Sequence, residues 1–232
     1  MAYDSRLLTF DWRSSSEENE GVNERPIEYE DLLRQSLDSA VREADAYFMK
    51  EGPLHRTLRR LAERFSSERI DYALVGGMAL GEHGYIRMTD DVDILLTAAG
   101  LERFQQRLVG RGYVAVHSGA TRAFRDTETR VRIEFLIAGE FPGDGKPKDV
   151  CFPDPAGAAE DVNGIKVLKL PRVVELKLAS GMSAPHRLRD LADVQEIIRA
   201  RRLGESFSAQ LDASVRAAYL KLLADLRNAD LD

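Results

Sequence analysis

Three acidic residues have the types and spacing to bind divalent cations next to a phosphate group. Asp91 and Asp93 lie one residue apart in a segment, residues 91–97, whose alternating and then apolar character predicts a β-strand. Side chains at such positions share a face of the sheet, about 7 Å apart along the backbone. Glu134 interrupts the apolar segment 129–138, a second predicted strand. Because like charges are costly to bury together without a cation, this set predicts Mg²⁺ ligands in a two-metal site for in-line displacement at phosphorus.

Two glycines occupy a position where a phosphate chain could approach the backbone. Gly76 and Gly77 end the short predicted strand 71–76, and a short helix, 78–83, follows directly. Glycines at such a turn allow close backbone approach, and the N–H groups that begin a helix favour anions. Thirteen residues separate Gly77 from Asp91, and Arg87 lies among them. The combination with D-x-D and a later acid is much more specific than a Gly-Gly pair alone.

The remaining periodicities predict an α/β protein in which a mixed sheet is flanked by helices. We expect a flexible acidic arm at residues 1–26, N-terminal helices at 27–69, the α/β core at 70–170 and a C-terminal helical region at 171–232. The segment 139–164 is rich in proline and glycine, which favours a long loop or irregular hairpins. The other predicted strands are 113–117, 121–125 and 165–168, and the predicted helices are 27–49, 54–65, 101–108, one from 171 to 181, one from 185 and one spanning 207–226.

Composition excludes several classes of protein. Of 232 residues, 44% are hydrophobic and 31% charged, which is typical of a globular chain rather than a disordered one. No apolar run reaches the roughly 18 residues of a membrane helix, and the N-terminus lacks a secretory pattern. The single cysteine, Cys151, cannot form an internal disulfide. These features predict a cytoplasmic protein without a membrane partner.

The net charge of −6 does not exclude a polyanionic partner. Residues 1–53 hold 13 acidic and 6 basic residues, which leaves 26 acidic and 27 basic residues in the remainder. Local basic surfaces can therefore exist despite the overall sign. Arg56, Arg60 and Arg64 align on one face of the predicted helix 54–65, where a solvated surface is the simpler interpretation and a nucleic-acid contact the alternative.

The pattern of Gly76-Gly77, Asp91-x-Asp93 and Glu134 resembles the nucleotidyltransferase superfamily, which has the polymerase-beta-like fold. Within it the chain looks most like the AbiEii-type bacterial toxins, which carry a later K-x-x-A and a basic-D-x-x-D motif. The corresponding positions are Lys177, in a Lys-Leu-Ala segment one residue tighter than the family motif, and Arg189-Asp190-Leu-Ala-Asp193. Gly77 stands where serine is common. The resemblance covers roughly residues 70–200.

This resemblance implies a role for each matching residue. Asp91 and Asp93 would hold two Mg²⁺ ions, with Mn²⁺ as an alternative metal, and Glu134 would bind the catalytic ion and accept the proton of the attacking hydroxyl. The remaining matching residues would bind the nucleoside triphosphate (NTP). Gly76 and Gly77 would contact the β- and γ-phosphates, and Lys177 and Arg87 would neutralise the charge of the triphosphate. Asp190 and Asp193 would face the pocket, as part of the nucleotide-binding set, and orient either the base or Arg189.

The resemblance also implies an acceptor and leaves alternatives open. The acceptor would be an RNA, with a tRNA end as the expected case, and the outcome growth arrest or phage defence neutralised by a cognate antitoxin protein. RNA would bind Arg56, Arg59, Arg60 and Arg64, with Arg199, Arg201 and Arg202 as a second surface. One alternative is transfer to a small molecule of the aminoglycoside type or to a protein. The other is a non-catalytic interaction module.

Overall fold

The computed structural model describes residues 27–229, so the predicted acidic arm and the last three residues lie outside the described part. Within that part, helices and strands occur in the mixed order that the sequence predicts. The helices are α1 Tyr29–Gln35, α2 Leu37–Phe48, α3 Pro53–Glu68, α4 Gly76–Glu82, α5 Ala98–Leu108, α6 Pro155–Ala158, α7 Leu170–Ser183, α8 Leu188–Arg201 and α9 Ala213–Ala229. Within residues 27–229, no helix combines the length and apolar character needed to cross a membrane.

A mixed seven-stranded sheet forms the centre of the described part. Its strands are β1 Tyr72–Leu74, β2 Asp91–Leu96, β3 Tyr113–Ala115, β4 Ala123–Asp126, β5 Arg132–Ile137, β6 Ala159–Val162 and β7 Ile165–Leu168. They lie in the order β3-β4-β5-β2-β1-β7-β6, in which β2 pairs in parallel with β5 and β1 in parallel with β7. The other neighbours are antiparallel. The predicted class, a mixed sheet flanked by helices with helical additions at both ends, is confirmed.

Each face of the sheet carries its own hydrophobic core. On one face, α3 and α5 pack on alternate strand residues around Phe104, whose ring lies 4.6 Å from that of Phe135 and 6.2 Å from that of Phe65. On the other face, α7, α8 and α9 pack on residues such as Leu95. Alternation along a strand sends successive side chains to opposite faces. Val92 and Ile94 belong to the first core, so Asp91 and Asp93 share the face of Leu95 with the C-terminal helices.

The predicted single helix over 27–49 is wrong, because the chain breaks at Ser36. Ser36 is extended, with φ −157° and ψ 159°, and its side chain accepts a hydrogen bond from the backbone N–H of Ser39. A serine hydroxyl that satisfies a free N–H at a helix start is a typical N-cap. The apolar period continues across Ser36, and for that reason periodicity alone did not reveal the break.

Three other segments differ from the sequence prediction. Segment 139–164, predicted as a long loop or irregular hairpins, contains the short helix α6 and the strand β6, and β6 forms an antiparallel hairpin with β7. The helix predicted from 185 starts with a separate 3₁₀ turn, Pro185–Arg187, before α8. The last helix begins at Ala213 rather than at Phe207, which lies in the 3₁₀ segment Glu205–Gln210. In the last two segments Val194, Phe207 and Leu211 are buried, but the backbone changes direction before the helix begins.

Candidate active site

The predicted acidic residues meet because β2 and β5 are parallel neighbours. In this register Asp93 lies opposite Glu134, and Asp91 lies opposite Arg132. All four side chains are only partly covered, whereas the strand residues between them are buried. The adjacency predicted from the spacing is therefore present in the fold, at the edge of the core formed by the C-terminal helices.

Gly76 makes room for the carboxylate of Asp93. Its φ is +65°, in the left-handed region, and a Cβ at this position would lie 1.9 Å from Oδ2 of Asp93. The backbone N–H of the preceding residue, Val75, donates to the carbonyl of Asp93 at 3.0 Å, which fixes the turn against β2. A side chain at position 76 would therefore displace the acid or the turn.

Asp91 and Asp93 form a concentrated negative charge. Burial, together with the negative charges of Asp91 and Glu134, raises the pKa of Asp93 to about 7, although Lys177 and Arg87 act in the opposite direction. Burial also raises the pKa of Asp91, against a hydrogen bond of 2.8 Å donated by the Thr89 hydroxyl. Carboxylates in this position favour a bound cation, because a cation lowers the cost of ionising both.

The donor set fits Mg²⁺, but the third carboxylate is engaged elsewhere. Glu134 accepts a 2.9 Å hydrogen bond from Arg132, its neighbour two residues away. Among residues 27–229, no three His, Cys, Asp or Glu side chains already converge as a metal site. The Arg132–Glu134 pair is about 40% exposed on both sides, and such pairs are worth about 0–1 kcal/mol. Glu134 can therefore turn from Arg132 towards Asp93 at small cost.

We expect replacement of Arg132 by methionine to strengthen divalent cation binding. The change removes a positive charge beside Asp91 and frees Glu134, so Mn²⁺ affinity should rise by up to about fivefold. Titration calorimetry with Mn²⁺ measures the effect. The matched control is Arg227→Met on α9, which breaks the exposed ion pair between Arg227 and Glu205 and should leave the affinity unchanged. Equal affinity in the two variants would show that Arg132 does not compete for Glu134.

Two cationic side chains line the same cleft as the acids and are held by one buried carboxylate. Asp193, which is 2% exposed, accepts hydrogen bonds from Arg87 at 2.8 and 3.0 Å and from Lys177 at 2.7 Å. Its burial and contacts place it behind the cleft wall. Asp193 is therefore not among the residues that line the cleft, which it was expected to face, and its role towards a nucleotide stays a prediction.

Asp190 supports the same group of cations. It accepts hydrogen bonds from Lys177 at 2.9 Å, from the Ser180 hydroxyl at 2.6 Å and from Arg187 at 3.1 Å. Despite burial, which acts in the other direction, Lys177 and Ser180 hold the pKa of Asp190 below its usual range. The arginine that Asp190 binds is Arg187 rather than Arg189, and a role of the two aspartates in orienting the base or Arg189 stays a prediction.

A cleft of about 490 Å³ brings these groups together. Its polar wall contains every predicted site residue except Asp193, and it adds groups that the sequence did not single out, such as Thr89, Ser180 and Arg187. The neighbouring wall is apolar and is formed by Leu136, Phe152, Leu168, Val173 and Leu176. Thr89 could have been identified as a site residue from the sequence, because it lies only two residues before Asp91.

The predicted arginine surfaces lie away from this cleft or are partly neutralised. α3, which carries Arg56, Arg59, Arg60 and Arg64, packs on the opposite face of the sheet from the acids. Arg60 forms ion pairs with Asp126 and Glu128. On α8, Arg199 pairs with Glu196 at 2.8 Å.

Comparison with known proteins gives matches among solved structures. No protein-family model and no curated protein matches this chain. An antigenic nucleotidyltransferase-like protein from Paracoccidioides brasiliensis is 18% identical, covers 76% of this chain and 89% of its own, and has a TM-score of 0.49. ANT(2'')-Ia in complex with adenylyl-2''-tobramycin is 12% identical, with coverages of 71% and 96% and a TM-score of 0.45. A putative nucleotidyltransferase from Thermotoga maritima is 17% identical, with coverages of 63% and 89% and a TM-score of 0.36. The AbiEii-type affiliation stays a prediction.

Proposed function

We propose that this protein is a Mg²⁺-dependent nucleotidyltransferase that moves a nucleoside monophosphate from an NTP to a hydroxyl group. The observation that carries the proposal is the pairing of β2 with β5, which sets Asp91, Asp93 and Glu134 side by side at one wall of a cleft. Arg87 and Lys177 line the same cleft. Acids that can hold hard cations, facing basic side chains, suit a substrate that carries a polyphosphate.

The reaction is a displacement at the α-phosphorus. The acceptor oxygen forms a bond to this phosphorus, the bond to the oxygen bridging to the β-phosphorus breaks, and pyrophosphate leaves with the electron pair. Asp91 and Asp93 would hold the Mg²⁺ ions, with Glu134 as a further ligand, and bound Mg²⁺ supplies charge neutralisation around the reacting phosphate. The Glu134 carboxylate would accept the proton of the attacking hydroxyl.

The basic side chains of the cleft would bind the leaving group. Negative charge moves onto the pyrophosphate as the bond breaks, and cations fixed nearby stabilise it more than they stabilise the bound NTP. Lys177 and Arg87 are placed for this task because both line the cleft and both are anchored by Asp193. Arg187, which is half exposed at the mouth of the cleft, adds a third positive charge.

As the acceptor we propose an RNA, with a tRNA end as the first case to test, in a toxin neutralised by a cognate antitoxin protein. The support for this finer assignment is the motif resemblance at Gly76-Gly77, Asp91-x-Asp93, Lys177 and Asp190. The position of the α3 arginines on the far face of the sheet does not favour RNA contacts by that helix. Small-molecule and protein acceptors are the competing outcomes.

The proposal is tested by following the α-phosphate. The protein is incubated with Mg²⁺, each α-labelled NTP in turn, and total bacterial RNA, beside the Asp91→Ala/Asp93→Ala double variant. We expect label to enter RNA with the unmodified protein alone. A parallel reaction with γ-labelled NTP should leave RNA unlabelled and release labelled pyrophosphate.

The other outcomes of this experiment separate the alternatives. Transfer to an aminoglycoside or to a protein, with none to RNA, would keep the nucleotidyltransferase and replace its acceptor. Absence of transfer to all three acceptor classes, with no Mg²⁺-dependent NTP binding, would contradict the enzyme and leave the interaction module.

A further inference from the structure

One buried carboxylate connects two cations that come from distant parts of the chain. Arg87 lies 106 residues before Asp193 and precedes β2, whereas Lys177 lies on α7. Asp193 Oδ1 accepts from Arg87 Nε, and Oδ2 accepts from both Arg87 Nη2 and Lys177 Nζ. The three contacts use both oxygens of a side chain that is 2% exposed. Both oxygens of Asp193 are therefore engaged by the two cationic side chains.

The guanidinium of Arg87 occupies the space above Gly77. A Cβ on Gly77 would lie 3.2 Å from Nη1 and 3.3 Å from Cζ of Arg87, and 3.1 Å from Cβ of Thr89. Those distances are tighter than ordinary van der Waals contact. Nη1 is the guanidinium nitrogen that does not bind Asp193, and its own acceptor, the Met88 carbonyl, is a long 3.3 Å away. The nitrogen with the weakest partner thus lies at the glycine turn, and Arg87 and Gly77 both line the cleft.

We propose that Asp193 is a positioning residue that fixes Arg87 and Lys177 as a pair to bind the polyphosphate of the substrate, and that Gly77 lacks a side chain because Arg87, together with Thr89, fills that space. The inference rests on the proposed function, since it assigns the polyphosphate-binding element of the same site. A bidentate carboxylate orients a guanidinium in one plane, and that orientation determines where its remaining N–H groups point. Lys177 donates to the second oxygen of Asp193, which holds its ammonium group at a fixed distance from the Arg87 guanidinium.

The alternative is that Asp193 only balances the buried positive charge of Arg87 and Lys177. A thermodynamic cycle of binding measurements distinguishes this role from the positioning role. The probe is inorganic tripolyphosphate with Mg²⁺, titrated calorimetrically into the full-length protein. We expect Asp193→Asn to weaken binding about tenfold or more, the loss associated with a charge-assisted hydrogen bond. The Arg87→Met/Lys177→Met double variant should lose at least as much. Adding Asp193→Asn to the double variant should then cost no further affinity.

Thermal melting of the same variants shows whether each variant is folded, so that a loss of affinity is not mistaken for a loss of structure. Asp193→Asn alone should lower the melting temperature, because two cations lose their partner. In the double variant the same change should raise the melting temperature, because it removes a buried carboxylate without a counter-ion. A purely charge-balancing Asp193 would show this reversal in melting temperature but no loss of tripolyphosphate affinity in the single variant.

Gly77→Ala tests the second half of the inference. The added Cβ should displace Arg87, and tripolyphosphate affinity should fall severalfold. Gly81→Ala is the matched control on the same helix, where a Cβ meets nothing within 4 Å, so affinity should be unchanged. Equal affinity of Gly77→Ala and Gly81→Ala would overturn the assignment of Gly77.

Failure of the inference can be distinguished from failure of the proposed function. If the unmodified protein binds neither tripolyphosphate nor MgATP, the proposed function is contradicted and this inference falls with it. If the unmodified protein binds both and Asp193→Asn binds equally well, the positioning role alone is wrong. A further loss of affinity on adding Asp193→Asn to the double variant would also overturn it, because Asp193 would then act independently of the two cations.

Discussion

Replacing Asp93 by asparagine should lower nucleotidyl transfer about a thousandfold or more while making the metal-free protein more stable at pH 8. The loss of transfer follows because asparagine keeps the shape of the side chain but not the charge that holds Mg²⁺. Clustered active-site carboxylates commonly destabilise a folded protein when no cation is bound to neutralise their charge.

The stability gain should depend on pH in a defined direction. Burial and the charges of Asp91 and Glu134 raise the pKa of Asp93 from 3.8 to about 7. Between these values the folded protein holds a proton that the unfolded chain releases, so the free energy of unfolding falls as pH rises through this window. Asparagine does not titrate, so the variant should gain about 1–4 kcal/mol at pH 8 and little at pH 4.

Urea unfolding at pH 4 and pH 8, without and with Mg²⁺, measures this effect. Added Mg²⁺ should stabilise the unmodified protein and reduce the advantage of Asp93→Asn. Asp225→Asn removes an exposed carboxylate on α9 that pairs with Lys221, and it should change stability by less than about 0.5 kcal/mol at either pH. An Asp93→Asn variant that is less stable than the unmodified protein at pH 8 would contradict the account of the charge cluster.

Gly76→Ala should be the most destabilising single methyl addition in the site. Alanine would have to adopt a φ near +65°, and its Cβ would fall 1.9 Å from the Asp93 carboxylate. Backbone strain of about 1–3 kcal/mol adds to the cost of moving the acid or the turn, so we expect a loss of about 3–5 kcal/mol in the free energy of unfolding. Transfer should be lost as well, because Asp93 would leave its place beside Glu134.

The matched control for Gly76→Ala is again Gly81→Ala. Gly81 lies on the same short helix with open space around it, so alanine there should stabilise the protein slightly, by up to about 1 kcal/mol. Denaturant unfolding of the two variants gives the comparison directly. Similar stability of both variants would show that Asp93 does not pack on Gly76 as described.

The arrangement of the acids could be predicted because it depends on local patterns. Alternation in β5 places Ile133 and Phe135 on one face and Glu134 on the other, and the structure has this division. The D-x-D spacing determines the common face of Asp91 and Asp93 in the same way. A parallel pairing of β2 with β5 was then sufficient to bring the three residues together.

The cation network could not be predicted, because its contacts join segments far apart in sequence. No local pattern indicates that Asp193 binds Arg87, 106 residues earlier, in preference to Arg189, four residues earlier. The packing of the helices determines these partners, because α7 and α8 lie side by side and bring Lys177 to Asp190 and Asp193. The break at Ser36 escaped prediction for a different reason, since a capping serine leaves the apolar period unchanged.

The central claim is that Asp91, Asp93 and Glu134 bind the metal and that Arg87 and Lys177 bind the polyphosphate of an NTP. A crystal structure with Mn²⁺ and an ATP analogue that cannot be cleaved between the α- and β-phosphates tests it most directly, because anomalous scattering locates the metal. We expect Mn²⁺ on the carboxylates of Asp91 and Asp93, with Glu134 turned away from Arg132, and the β- and γ-phosphates against Arg87 and Lys177. Mn²⁺ or nucleotide bound elsewhere, with these side chains in their present contacts, would contradict it.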